Sequence, residues 1–145
     1  MFGHMLPAQL RPVGSADVAA AQAELVAVLQ QMDGVARRLM LHGLLRPEAV
    51  LVGSYETGGH RCCPLASAVW EATGCEATGW AAVQDGIVAL GLGPVHRRFV
   101  WAFDRWALVS GYEYVDSHGA RILTIDGRSR LIGLIERVGG SSAAA

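Results

Sequence analysis

The sequence predicts a mainly α, single-domain bundle of four to five helices, with one small β-hairpin near residues 112–123. Two apolar stripes at helical spacing, one beginning at Asp17 and one at Pro94, are the first observation behind that prediction. The second is punctuation: Ser, Asp, Thr and Pro stand where helices would start, and Gly where they would stop. The third is the confinement of hairpin character to YEYVDSHGARIL.

In the first element Val18, Ala21, Leu25, Val28, Met32, Val35 and Leu39 recur at steps of three and four, drawing one stripe along a helix over 17–42. Ser15 or Asp17 is placed to cap its start. Gly34 weakens its middle by about 1 kcal/mol relative to alanine and marks a candidate bend. Pro47 can open a short second helix, PEAVLVGSYE, because proline is tolerated in a first turn. CPLASAVWEATG reads as a third helix, with Cys63 at the cap, Pro64 first, and Leu65, Ala66, Val69 and Trp70 on its apolar face. WAAVQDGIVALGLG, residues 80–93, is ambiguous, since its glycines oppose a stable helix.

Pro94 then opens a helix in which Val95, Phe99, Ala102, Phe103, Trp106 and Val109 share one face, and Gly111 closes it. The stretch after it is a loop or a hairpin turning at Ser117–Gly119. Thr124 or Asp126 caps a last helix that turns Leu131, Leu134, Ile135 and Val138 inward. Residues 6–139 form the predicted domain; residues 1–5 read as a cloning scar and 140–145 as a flexible tail.

Composition narrows the classes of function. A chain of 145 residues that is 52% hydrophobic can bury roughly two-thirds of its unfolded surface, which is not the profile of a disordered chain. Asp85 and Gly86 interrupt the longest apolar run short of the roughly 18 residues of a spanning helix. A net charge of −1 gives no global field for nucleic acid or anionic membrane. All 12 basic residues are arginine, and asparagine is absent too, which fits the coding bias of a GC-rich bacterium. Three cysteines, two of them adjacent, are not a disulfide framework, and no signal peptide is visible; the expected location is cytoplasmic.

The chemistry concentrates at GGHRCCPLASAVWE. A cysteine at a helix N-terminus meets unpaired N–H groups and the positive end of the helix dipole, and both favour the thiolate. Cys63 is placed that way, with His60 and Arg61 beside it, and His60, His96 or His118 as candidate base. A cysteine-peptidase arrangement would use His118 with Asp116 or Asp126, but it requires a real sheet. A zinc site would draw on His60, Cys62 or Cys63, Cys75 and His96, without any standard paired spacing. The plain alternative is a buried structural cysteine. No cofactor-binding motif stands out, and GLGP at 91–94 lacks the spaced glycines of a dinucleotide loop.

The other feature is Trp101, which falls off the main stripe of its helix near Arg97, Arg98 and Arg105. Tryptophan beside arginine suits a binding surface, through stacking or cation–π contact, unless another helix covers it. The candidate binding set is Arg61, Arg97, Trp101 and Arg105. Asp104 and Arg105 are also placed to pair with Arg61 or Glu71 of the cysteine segment.

RCCPLASAVWE followed by FVWAFDRWAL is similar to small actinobacterial proteins that carry a Cys-Pro helix start, an aromatic-Asp-Arg-aromatic helix and a Thr- or Asp-capped last helix. The second signature here is Phe103-Asp104-Arg105-Trp106, and the likeness spans roughly the C-terminal two-thirds of the chain. It implies a helical fold and a bacterial source, and carries no activity. The segment from Gly74 to Pro94 departs from the pattern by being longer and more apolar.

Together these features lead to an expected non-catalytic module that binds a protein partner or its own copy, with the striped helix 17–42 as one surface for doing so. A thiol-dependent enzyme or a redox or metal site centred on Cys63 is the alternative, and an arginine-mediated nucleic-acid regulator a second one.

Overall fold

The computed structural model describes residues 14–46, 50, 52, 63–73 and 80–144, with the side chains of residues 80 and 141–144 outside that description. Among the described residues the chain forms α1 (Ser15–Gln31), α2 (Gly34–Leu44), α3 (Pro64–Thr73), α4 (Trp80–Ala89), α5 (His96–Val109), β1 (Glu113–Val115), β2 (Arg121–Leu123) and α6 (Ile125–Ala144). The mainly α prediction with one hairpin holds, with six helices in place of four to five. α1 packs on α5 and α6, α2 on α3 and α6, and α3 on α4.

Two helices go beyond the expectation: α4, in the ambiguous segment, and one from the expected single helix over 17–42, which is two helices. Met32 turns extended (φ −76°, ψ 144°), and Asp33 caps a new start, its Oδ2 accepting from the Val35 and Ala36 N–H groups at 2.9 and 3.2 Å. The break resets the helical phase. Ala21, Leu25, Val28 and Met32 are buried as the stripe requires, but beyond the break Ala36, Met40 and Leu44 are buried while Val35 is exposed. Arg37 closes the joint: its buried Nη1 donates to the carbonyls of Leu29 (2.9 Å) and Met32 (3.1 Å). Those carbonyls end α1, where the helix dipole is negative and acceptors lack intrahelical partners.

A second correction falls within the expected helix 47–56, of which only Val50 and Val52 are described. The Val52 N–H donates to Arg121 O at 3.0 Å, and Val50 O accepts from the Leu123 N–H at 2.9 Å. Val50 and Val52 therefore hydrogen-bond to the outer edge of β2, with Val50 as a bridge residue. Both valines are buried, which is the alternation of a short strand, and β-branched residues favour it.

α3 forms as the Cys-Pro start predicts. The Cys63 carbonyl accepts the first intrahelical bond, from the Ser67 N–H at 3.0 Å, so Cys63 is the cap and Pro64 the first residue. Residues 64–70 are all buried, and the neighbouring helices supply glycines where they meet α3. A Cβ on Gly43 of α2 would come within 2.6 Å of Ser67 Oγ, and one on Gly86 of α4 would overlap the Val69 side chain. Gly86 is thus a contact glycine inside a helix, and α4 forms in the segment whose glycines argued against one.

α5 buries Phe99, Ala102, Phe103, Trp106 and Ala107. Phe99 and Phe103 stack with centroids 5.8 Å apart, and Trp106 meets Tyr112 at 5.2 Å. At its end the Tyr112 N–H reaches Ala107 O (2.9 Å) and the Gly111 N–H reaches Leu108 O (3.2 Å), with Gly111 at φ 70°. This is the Schellman closure that glycine permits.

The hairpin pairs Glu113 with Leu123, Tyr114 with Ile122 and Val115 with Arg121. Asp116 Oδ1 holds its turn by accepting from the His118 and Ala120 N–H groups, both at 2.9 Å. Thr124 caps α6 through the Gly127 N–H at 3.0 Å, and Leu131, Leu134, Ile135 and Val138 are buried. α6 continues to Ala144, across residues 140–144 that the sequence reads as tail. Among the described residues no helix is long and apolar enough to cross a membrane.

Candidate functional site

The two candidate sites end in opposite surroundings. Cys63 holds the predicted place at the N-terminus of α3, but its side chain is only 5% exposed within the apolar core. Apolar burial works against thiolate formation, and so against what the helix end offers. His118 is exposed in the hairpin turn, a surface position unlike the core site of the thiol. His96 is half-buried at the start of α5. His60, Arg61, Cys62 and Cys75 lie outside the described residues. Among the described residues no group of three or more His, Cys, Asp or Glu side chains is arranged to hold a metal ion.

On α5 the predicted binding residues are displayed on the surface. Arg97, Trp101, Asp104 and Leu108 follow one another at steps of four, three and four, so they form one line along the helix. That line lies opposite Phe99, Phe103 and Trp106. Trp101 is 67% exposed and Leu108 59%, Arg97 is exposed, and Asp104 is half-buried. Among the described residues no helix covers Trp101.

Arg98 and Arg105 sit to one side of this line, facing α1. Arg98 Nη1 donates to Gln31 Oε1, and Arg105 Nη1 lies 3.4 Å from Glu24 Oε2. These exposed contacts contribute little stability but fix the two helices side by side. Between the helices, next to Trp101, runs a groove of about 290 Å³ floored by Ala27, Val28 and Ala102. Small side chains leave that room.

The expected pairing of Arg105 with Glu71 is replaced. Arg105 faces α1 and meets Glu24, while Glu71 Oε1 accepts from Arg46 Nε at 2.6 Å. The cause is the rotation of α5, which places residues 98 and 105 on its α1 side. Leu108 and the groove residues were missing from the sequence-level site. Leu108 was legible as the residue seven beyond Trp101; the groove was not, because it depends on which helix packs beside α5.

Among the described residues, the fold and site define a small helical bundle with Trp101 and Leu108 exposed on α5 and with its cysteine-bearing helix enclosed. No family model matches the chain, and neither does any curated protein or solved structure.

Proposed function

We propose that the chain is a non-catalytic binding or self-associating module whose docking surface is the outer line of α5, centred on Trp101. The observation that carries this reading is the 67% exposure of Trp101 on a helix that already has a complete buried face. Tryptophan and arginine are enriched among residues that dominate binding energy, and a large aromatic left in water is unused burial. Leu108 extends the patch, and Arg97 gives it a polar rim.

The sequence offered two surfaces, the stripe of helix 17–42 and the Trp101 face of α5. Helix 17–42 spends its stripe on the chain's own core, through Ala21, Leu25, Val28 and Met32, which favours the α5 face. The burial of Cys63 weighs against the thiol-dependent alternative, as does a surface position for His118.

Photo-cross-linking tests the proposal. With benzoylphenylalanine in place of Trp101, the full chain is expected to form an intermolecular adduct that disappears when Leu108→Ser is added. No intermolecular adduct, or one indifferent to Leu108→Ser, would count against the α5 surface.

A further inference from the structure

α2 packs on α6, and a cleft of about 560 Å³ opens between them. Sites for small molecules fall in this range, roughly 300–1,000 Å³. Glycines make the room. Gly34 begins α2, and a Cβ on Gly139 of α6 would meet nothing within 4 Å. Half-buried Leu41 and buried Ile135 give the cleft an apolar side.

The rest of the lining is charged. Arg37 Nη1 is tied to the carbonyls of Leu29 and Met32, and its Nη2 lies 3.6 Å from where a Gly34 Cβ would stand. That guanidinium is therefore a fixed part of the wall. Arg38, the next residue of α2, and Glu136 of α6 are both exposed. Neither makes a hydrogen bond or ion pair among the described residues. The cleft thus joins an apolar side to two guanidinium groups and one carboxylate, with Arg38 open to a ligand.

We infer that this cleft binds a small amphiphilic carboxylate, its head on Arg38 and its apolar body along Leu41 and Ile135. A guanidinium presents a planar fork that matches a carboxylate. The net positive lining suits a single negative charge and opposes a cation, while a doubly charged head would meet the Glu136 carboxylate as well. The inference goes beyond the docking role of α5 and is independent of it, because no residue of α5 lines the cleft.

Two-dimensional NMR titration of the full chain with octanoate tests this. Saturable shifts are expected at Gly34, Leu41, Ile135 and Gly139, with a Kd of about 1 mM or tighter. Octanamide keeps the body and lacks the charge, so it is expected to bind at least about fivefold more weakly, and octylammonium more weakly still. Arg38→Glu is expected to weaken octanoate at least about tenfold while octanamide binding and the melting temperature stay the same, since Arg38 holds nothing in the fold. Gly139→Leu is expected to abolish binding of both by filling the room. It should keep the melting temperature, because its Cβ has open space and leucine favours a helix over glycine. No saturable shift at these residues up to about 10 mM octanoate overturns the site. Octanamide or octylammonium that matches octanoate, or octanoate indifferent to Arg38→Glu, overturns the carboxylate as ligand. Octanoate binding that survives Gly139→Leu, or that shifts residues around Trp101 instead, overturns the cleft as its place. The α5 reading has its own intermolecular readout, so the two fail separately.

Discussion

α3 and α5 were the two most informative helices in the sequence, and the fold treats them in opposite ways. α3 is buried from Pro64 through Trp70 and is approached on separate sides by Gly43 and Gly86. α5 buries one face, led by Phe99, Phe103 and Trp106, and turns Trp101 and Leu108 to water. A helix with almost no polar face has to be enclosed, and enclosure takes its cysteine out of easy chemical reach. A helix with a complete inner face turns any further large apolar residue to water, where it is open to contact with something else. The described cysteine therefore sits where access is poor, and the exposed Trp101 sits on a helix where no nucleophile was sought.

The largest effect expected from this contrast is on the inner face of α5. Trp106 is fully buried, and Trp106→Ala should cost about 3–5 kcal/mol in chemical denaturation, since it opens a cavity among Phe103, Tyr112 and their neighbours. Next comes the enclosure of α3. Gly86→Ala adds a methyl where Val69 already stands, and should cost about 1–3 kcal/mol despite the better helix propensity of alanine. A neutral or stabilising result would mean that α4 does not press on α3. The enclosure also predicts a rate. Followed by mass spectrometry at single-residue level, Cys63 should react with iodoacetamide slowly in the native chain and rapidly once urea unfolds it. Fast native labelling of Cys63 would return the thiol alternative to first place.

The sequence reveals these helices unequally, for physical reasons. The inner face of α5 was readable because six apolar residues fell on one stripe, and Gly111 ended it in the position its closing motif needs. The start of α3 was readable because Pro64 tolerates only a first-turn site. The break at Met32–Asp33 was readable only as a candidate bend at Gly34, because the apolar spacing runs through it and the cap of Asp33 and the reach of Arg37 are what make it two helices. Gly86 misled for a related reason: a glycine that weakens an isolated helix is required where another helix lies against it. Val50 and Val52 were assigned to a helix because the strand they pair with lies some seventy residues later, and local propensity carries no trace of it. The site followed the same rule. Trp101 could be placed off the stripe, but whether it met water or another helix depended on packing.

The smallest expected effect bears most directly on the central claim, that Trp101 on the outer face of α5 is spare for folding and available for docking. It is the melting temperature of Trp101→Ala measured beside that of Trp106→Ala. Trp101→Ala should lie within about 0.5 kcal/mol of the wild type, as a surface substitution does, while Trp106→Ala melts far earlier. A loss at Trp101 comparable to that at Trp106 would contradict the account, because Trp101 would then belong to the core and α5 would have no free face to offer.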